Sequence, residues 1–439
     1  MKFQTIEQAL AWMNDQHKSA EAISVEKVGH ALNYLGNPHQ GLPVIHITGT
    51  NGKGSTTAFL RDLLQSQGLK VATYTSPHIM KFNERISYNG QNISDEELVE
   101  VLNKMVEVNE YMASTPFGRL VFFELYTVMA AYYFAKKQPD VCLIEVGIGG
   151  YTDATIHFDG QLAVITTIGL DHADKFGDKI ENVAYEKAGI IKDHAQVVTG
   201  RIAPDLLQII KQKVKKEEAV LSAFDHDYQI EKLENVQELG SRFTWANDSY
   251  RENFHIQMLG YHQVDNAAVA LQAFSLWMDQ IQGQNIDWIA ASHRLETTQW
   301  LARMEKVHQN PLVYIDGAHN TAGLNALRQT MDEYFADYDY TIIYAGLSTK
   351  NQAEQLPLLM NFPARDIFLT EFGHEKAMTA QDYQEIEQHE LDTFPKLVDW
   401  QAYLSDYLGR PAEAKHLLLL TGSLYFVSDV REFIVNQNR

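Results

Sequence analysis

Apolar residues fall at helical spacing over residues 5–35, with Ile6, Leu10 and Met13 on one stripe and Val25, Val28 and Leu32 on the next. The pattern then switches to a short β-branched run at 42–47, which reads as a buried strand entering a glycine-rich turn. A helix over about 55–67 and a strand at 71–74 follow. Strand, turn, helix and strand in that order predict a parallel α/β sheet. The alternation continues with helices over 94–110 and 122–137, strands over 141–146 and 162–168, a helix over 180–188 and a strand ending near 196–200. Around 227–259, turn-separated runs such as Ser241-Arg242-Phe243-Thr244-Trp245 suggest a small antiparallel meander, with a helix at 264–278 behind it. After about 300 the alternation restarts, with strands expected at 311–316, 340–345, 366–370, 396–399 and 416–420.

The turn after the first strand reads Thr48-Gly49-Thr50-Asn51-Gly52-Lys53-Gly54-Ser55-Thr56-Thr57. Glycines let backbone N–H groups curl around phosphate oxygens, lysine adds a point charge, and the following helix N-terminus adds its dipole. The strict phosphate-loop pattern fails twice, because residue 47 is Ile and Gly54 follows the lysine. The placement between a strand and a helix still marks a phosphate site. The expected fold is α/β: a P-loop-type, mostly parallel N-terminal domain over 1–298 carrying the meander, and a smaller Rossmann-like α/β domain over 299–439.

The 439 residues suit two such domains, and 45% hydrophobic with 21% charged residues is an ordinary globular composition. The formal charge of −21 argues against nucleic acid or an anionic membrane as partner, so an anionic substrate needs a locally positive site such as the lysine loop. Cys142 is the single cysteine, set in an apolar run, and reads as a buried thiol. Met1-Lys2-Phe3-Gln4-Thr5 lacks signal-peptide character, and no apolar run approaches the ~20 residues that span a bilayer. A cytoplasmic monomer is the expectation.

Further motifs stand in order along the chain: Thr75-Ser76-Pro77-His78, Phe82-Asn83-Glu84-Arg85-Ile86, Glu145-Val146-Gly147-Ile148-Gly149-Gly150 with Asp153-Ala154-Thr155, and Gly169-Leu170-Asp171-His172. Glu186-Lys187-Ala188-Gly189, His262-Gln263-Val264-Asp265-Asn266-Ala267 and Asp316-Gly317-Ala318-His319-Asn320 complete the set. Together with the lysine loop, these blocks resemble the Mur ligase superfamily, and within it the folylpolyglutamate synthase/dihydrofolate synthase branch, over about 40–425. The resemblance implies an ATP-dependent ligase that adds L-glutamate to the glutamyl carboxylate of tetrahydrofolate through an acyl phosphate. An enzyme that also makes dihydrofolate from dihydropteroate, and a non-catalytic nucleotide-binding homologue, remain as alternatives.

The same resemblance assigns residues. Thr50, Asn51, Gly52, Lys53, Gly54, Ser55 and Thr56, with Asn266, Arg303 and Asp316, are implied at ATP; Ser76, Glu145 and His172 at Mg²⁺, with two ions expected. Lys53, Lys187 and His319 are implied in catalysis, and Phe82, Arg85 and Asp153 in substrate contact. Taken alone, Lys187 reads as a helix-surface lysine; in the family it is commonly carbamylated, which would turn a cation into a carboxylate. Glu145 has a separate argument, since a carboxylate closing an apolar strand is costly unless paired or ligating a metal. Two arginines compete for one role: Arg303 stands 13 residues before Asp316, the family spacing, whereas Arg294 in Arg294-Leu295-Glu296 is too distant and is expected on the surface of a linker. Tyr151, Thr152 and Ile156 depart from the family pattern beside the Gly149-Gly150 turn.

Overall fold

The computed structural model describes residues 2–16, 23–171, 173–236, 240–390 and 396–437. The strands are β1 Val44–Thr48, β2 Val71–Tyr74, β3 Ile86–Tyr88, β4 Gln91–Asn92, β5 Val141–Glu145, β6 Gly160–Ile165, β7 Gln196–Thr199 and β8 Val220–Ala223, then β9 Tyr228–Asn235, β10 Ser241–Asn247 and β11 Arg251–Ile256. The last group is β12 Glu305–Gln309, β13 Leu312–Ile315, β14 Asp339–Tyr344, β15 Asp366–Leu369, β16 Lys396–Leu397 and β17 His416–Thr421. Two compact units result: Met1–Lys232 with Phe243–Phe254 and Asp265–Thr297, and Leu233–Arg242 with His255–Val264 and Thr298–Arg439.

The first unit holds an eight-stranded sheet in the order β4-β3-β2-β5-β1-β6-β7-β8. Its central strands pair in parallel and are buried along their whole length, which is why β5 reads as a near-continuous apolar run and β1 as one interrupted only by His46 and Thr48. Only the β2–β3–β4 edge is antiparallel. That hairpin turns through Asn89 and Gly90, both at positive φ, a dipeptide made for such a turn. Helices start where local chemistry stops their free amides from going unmet: Thr5, Ser24 and Ser94 each accept a backbone N–H from the first turn. Helices Asp95–Ala113 and Phe122–Lys137 bury a core with Phe82, Tyr126 and Phe158 on one face of the sheet. Ile190, Ile191, Ile210 and Val214 pack with Ile165 and Val197 in a second cluster.

A three-stranded sheet, β11-β10-β9, answers to the expected meander. The second unit holds a six-stranded sheet in the order β12-β13-β17-β14-β15-β16, parallel apart from β12. Its core gathers Leu324, Met331, Ile342, Leu356, Leu417 and Leu419. β12, the β3–β4 hairpin and the helix Trp288–Glu296 were not evident from periodicity, being short or lying at an edge.

The expected strand over 162–168 stops at Ile165. Past it the backbone still bonds to the phosphate-loop segment, Thr166 N donating to Thr48 O at 2.9 Å, while the hydroxyls of Thr166 and Thr167 donate to Asn51 O.

Candidate functional site

β1 ends at Thr48 and the chain turns into the helix Lys53–Ser66 through residues 49–52. The turn is fixed by the segment after β6. Thr167 O accepts from Thr50 N (2.9 Å) and Thr167 Oγ1 from Asn51 N (2.9 Å), while Thr166 Oγ1 donates to Asn51 O (2.6 Å). Thr50 Oγ1 meets the backbone of Gly169, donating to its oxygen at 3.0 Å. Two glycines are required here by contact. A Cβ on Gly49 would lie 1.8 Å from Thr166 Oγ1, and one on Gly52, at φ +87°, would lie 2.3 Å from Asn266 Oδ1. Gly52 starts the helix with no side-chain cap, and a helix N-terminus of this kind suits an anion. Lys53 Nζ folds over the turn, donating to Gly49 O (2.7 Å). Thr56, implied at ATP, is fully buried in the first turn of the helix, its hydroxyl included.

The next strand over carries the acidic residue. Ile47 of β1 pairs with Glu145 of β5, and Ile144 of β5 pairs with Tyr74 of β2, two positions before Ser76. The lysine loop, Glu145 and Ser76 therefore leave the same edge of the sheet from three adjacent strands, where open α/β sheets hold ligands. Glu145 is 3% exposed. A carboxylate and a hydroxyl form the all-oxygen donor set that suits Mg²⁺. Among the described residues no three His, Cys, Asp or Glu side chains gather to hold a metal, and His172 lies outside them.

Asp153 lies in the turn after β5. Expected at the substrate, it is 1% exposed and spends both oxygens inside its own turn. Oδ1 accepts from Thr155 N (2.9 Å) and Thr155 Oγ1 (2.5 Å), and Oδ2 from Ile148 N (3.0 Å). Burial raises its pKa, and these hydrogen bonds oppose the rise. Phe82 is likewise a core residue, edge-on to Phe122 and Tyr126. Arg85 is buried beside it, donating Nε to His78 Nδ1 (2.7 Å), with its guanidinium 5.2 Å from the centre of the Tyr126 ring.

Lys187, read alone as a surface lysine, is 4% exposed in the last turn of the helix Ile180–Ala188. Burial, then the charge of Lys53, pull its pKa down to about 7, against the opposing pull of Asp171, Asp153 and Glu186. The atypical Tyr151 and Thr152 pack against this same helix. Tyr151 stacks on Tyr185 with ring centres 5.0 Å apart, and Thr152 N and Oγ1 donate to Glu186 Oε2 at 3.2 and 3.1 Å. The departure from the family pattern is thus matched by partners on the neighbouring helix.

In the second unit Asp316 follows β13 and orders a turn. Oδ2 accepts from Met304 N (2.8 Å) and Oδ1 from Ala318 N (2.9 Å). Burial raises its pKa while the Arg303 guanidinium lowers it. Ala302 and Met304, on either side of Arg303, both adopt positive φ, a strained backbone that fixes where Arg303 emerges. A Cβ on Gly317 would lie 2.7 Å from Arg303 Nη1. His319 Nδ1 is 2.8 Å from Gly317 O, which orients its ring. Arg294 is not in a linker: it belongs to the helix Trp288–Glu296, with Nη2 3.4 Å from Gln65 Oε1 and 3.8 Å from Asp62.

Two residues escaped the sequence reading. Ser423 follows β17 beside β13, fully buried, behind Gly422 at φ +113°. His262 is half-buried near Arg303, and desolvation with that charge lowers its pKa to about 4. His262 stood inside a recognised block, and Ser423 follows a Thr-Gly pair at the end of an apolar strand, which is the available signal.

Two family models match the chain: the Mur ligase middle domain over residues 47–274 and the dihydrofolate synthetase C-terminal domain over 296–433. The chain is 33% identical over 432 residues to a dihydrofolate synthase/folylpolyglutamate synthase of Bacillus subtilis, covering 98% of this chain and 99% of that one. It is 32% identical over 435 residues to a folylpolyglutamate synthase of Lacticaseibacillus casei, covering 98% of each. Among solved structures, an FPGS-AMPPCP-folate complex superposes with a TM-score of 0.84 at 30% identity, covering 98% of this chain and all of that one.

Proposed function

Because this chain belongs to the folylpolyglutamate synthase/dihydrofolate synthase family of Mur ligases, we propose that it uses ATP to join L-glutamate to the glutamyl carboxylate of a tetrahydrofolate. The observation that carries this reading is the shared edge of the first unit's sheet. Pairing of Ile47 with Glu145 sets a phosphate-binding turn beside an acidic strand end. A carboxylate is a poor electrophile, and transfer of the γ-phosphoryl group to it makes an acyl phosphate with a good leaving group. Glutamate's neutral amine then attacks the carbonyl, the tetrahedral intermediate collapses, and inorganic phosphate leaves.

Phosphoryl transfer is catalysed by positioning and by charge. Lys53 is assigned to the β- and γ-phosphates, leaving Gly49 O for the stronger anion, and the first amides of its helix to the same oxygens. Glu145 and Ser76, with His172, would hold Mg²⁺, which when bound neutralises charge on the phosphoryl oxygens. Lys187 is assigned as a carbamate serving a second Mg²⁺ or orienting substrate: an amine with a pKa near 7 is substantially neutral at cellular pH, the form that adds to CO2. Asn266, held against Gly52, is assigned to the adenine side, and Arg303, Asp316 and His319 to the second unit's share of nucleotide binding and catalysis. The protein is placed in the cytoplasm as a monomer, in keeping with its acidic charge; no described helix is long and apolar enough to cross a membrane.

A second reading has specific support. The Bacillus subtilis relative is named for both dihydrofolate and folylpolyglutamate synthesis, while the Lacticaseibacillus casei relative, at nearly equal identity, is named only for the latter. The test offers dihydropteroate and tetrahydrofolate separately, with glutamate and MgATP. ADP release with tetrahydrofolate alone supports the single activity; release with both supports the bifunctional enzyme; release with neither overturns the folate assignment.

A further inference from the structure

β1 presents alternate side chains to one face of the sheet, and two of them reach the turn that follows Glu145. Thr48 Oγ1 donates to Gly149 O (2.8 Å). His46 Nε2 lies 3.0 Å from Thr155 Oγ1. Thr155 passes its single hydroxyl proton to Asp153 Oδ1, and Asp153 in turn accepts from the amide of Ile148. With N–H donors on both oxygens, Asp153 acts as a carboxylate acceptor, so the proton between Asp153 and Thr155 belongs to Thr155. The His46–Thr155 bond must then carry the imidazole's proton on Nε2. Nδ1 is left as a bare lone pair, buried and without a hydrogen bond among the described residues. A fully buried imidazole with one nitrogen unmet is a costly choice for a strand interior, where an aliphatic side chain would pack at no such cost. Burial holds the ring neutral, with a pKa of about 3, so it serves as a fixed donor rather than as a charge.

We propose that His46 is a positioning residue which, through Thr155 and Asp153, holds the 147–150 glycine turn against the phosphate-loop strand, and so the surroundings of the Glu145 carboxylate from which that turn departs. Backbone pairing fixes β5 only as far as Glu145 and Val146, whose N donates to Ile47 O. Beyond that point the chain passes through Gly147, Gly149 and Gly150, and two sets of anchors hold it: Glu186 of the neighbouring helix takes Tyr151 N and Thr152, and side chains of the phosphate-loop strand take Gly149 O and Thr155. The same strand thereby places the anion-binding turn at its end and the acidic group beside it. This inference rests on the assignment of Glu145 to Mg²⁺ made above.

The test uses the full chain with His46→Leu, His46→Gln and Thr155→Val. Three quantities are read: the Mg²⁺ concentration for half-maximal ADP release, hydrogen exchange of the 147–155 amides without nucleotide or metal, and thermal unfolding. His46→Leu and Thr155→Val should raise the Mg²⁺ requirement about tenfold or more, as loss of a ligand's supporting partner does elsewhere. Both should speed exchange at 147–150. His46→Gln, which keeps a donor near the Nε2 position, should restore both quantities. Unchanged exchange and Mg²⁺ dependence in folded His46→Leu, even with a lowered Tm, would reduce His46 to packing and overturn the proposal; if His46→Leu does not fold, the same result in Thr155→Val overturns it. A wild-type chain with no Mg²⁺-dependent ligation would instead refute the functional reading, and the exchange data would still decide the relay.

Discussion

Lys187 offers a prediction whose sign and size both come from burial. An ordinary lysine, with a pKa of about 10.4, is neutral in roughly four molecules per ten thousand at pH 7. With its pKa at about 7, Lys187 is neutral in about half, on the order of a thousandfold more. Its folded pKa lies below its unfolded one, so between about pH 7 and 10.5 the unfolded chain binds more protons and stability rises with pH. The penalty for burying the cation is fully present below pH 7 and relieved above it. At about 1.4 kcal/mol per pH unit, the gain over that window is at most about 5 kcal/mol. Lys187→Met should be free of this term, so the difference in unfolding free energy between variant and wild type should shrink as pH rises from 7 to 10. The chemical counterpart is carbamate formation: with ¹³C-bicarbonate, a carbamate carbon signal should grow from pH 6 to pH 8 in the wild type and be missing from Lys187→Arg. A pH-independent stability difference, together with an equal signal in Lys187→Arg, would refute the reasoning.

The two arginines should separate cleanly: Arg303→Ala should cut kcat/KM for ATP at least tenfold, because Asp316 loses the cation that offsets its burial, while Arg294→Ala should stay within about twofold, being a half-exposed ion pair of small worth. Steady-state kinetics of ADP release check this, and a greater effect at Arg294 would move the nucleotide contact to the other arginine. Gly52→Ala and Gly68→Ala share the strain of a positive φ, worth about 1–2 kcal/mol of stability by thermal or urea unfolding. Only Gly52→Ala also drives a methyl into Asn266, so only it should lose ATP turnover; Gly68 has open space around it. Equal activity in the two variants would show that the tight turn is not part of nucleotide handling.

The elements legible in the sequence are those whose reasons are local. β5 runs apolar from Val141 to Ile144, and β1 is buried along its length and apolar apart from His46 and Thr48, because both faces of a parallel sheet are covered; the glycines of the lysine loop announce a turn that comes close to other backbone or side chains. What escaped depends on partners far away along the chain. Thr166 and Thr167 read as strand residues, and nothing local shows that their hydroxyls serve Asn51, 115 and 116 positions earlier. Asp153 stands in a motif as an implied substrate contact, and nothing in the sequence announces the three hydrogen bonds from its own turn that close around it. Phe82 sits in a motif and still belongs to the core, because Phe122 and Tyr126 arrive from a helix forty positions on. Lys187 carries no sign of burial in its helix pattern; the cover comes from the packed fold and the repulsion from Lys53.

The central claim is that ATP activates a folate carboxylate as an acyl phosphate at the edge of the first unit's sheet. The direct measurement uses tetrahydrofolate whose glutamyl γ-carboxylate carries ¹⁸O, incubated with MgATP and glutamate, with the released phosphate analysed by mass. The account predicts one ¹⁸O in the inorganic phosphate for each glutamate joined, one ADP formed alongside, and none of this in Lys53→Ala. Ligation that leaves the phosphate unlabelled, or that places the label in AMP, would contradict it.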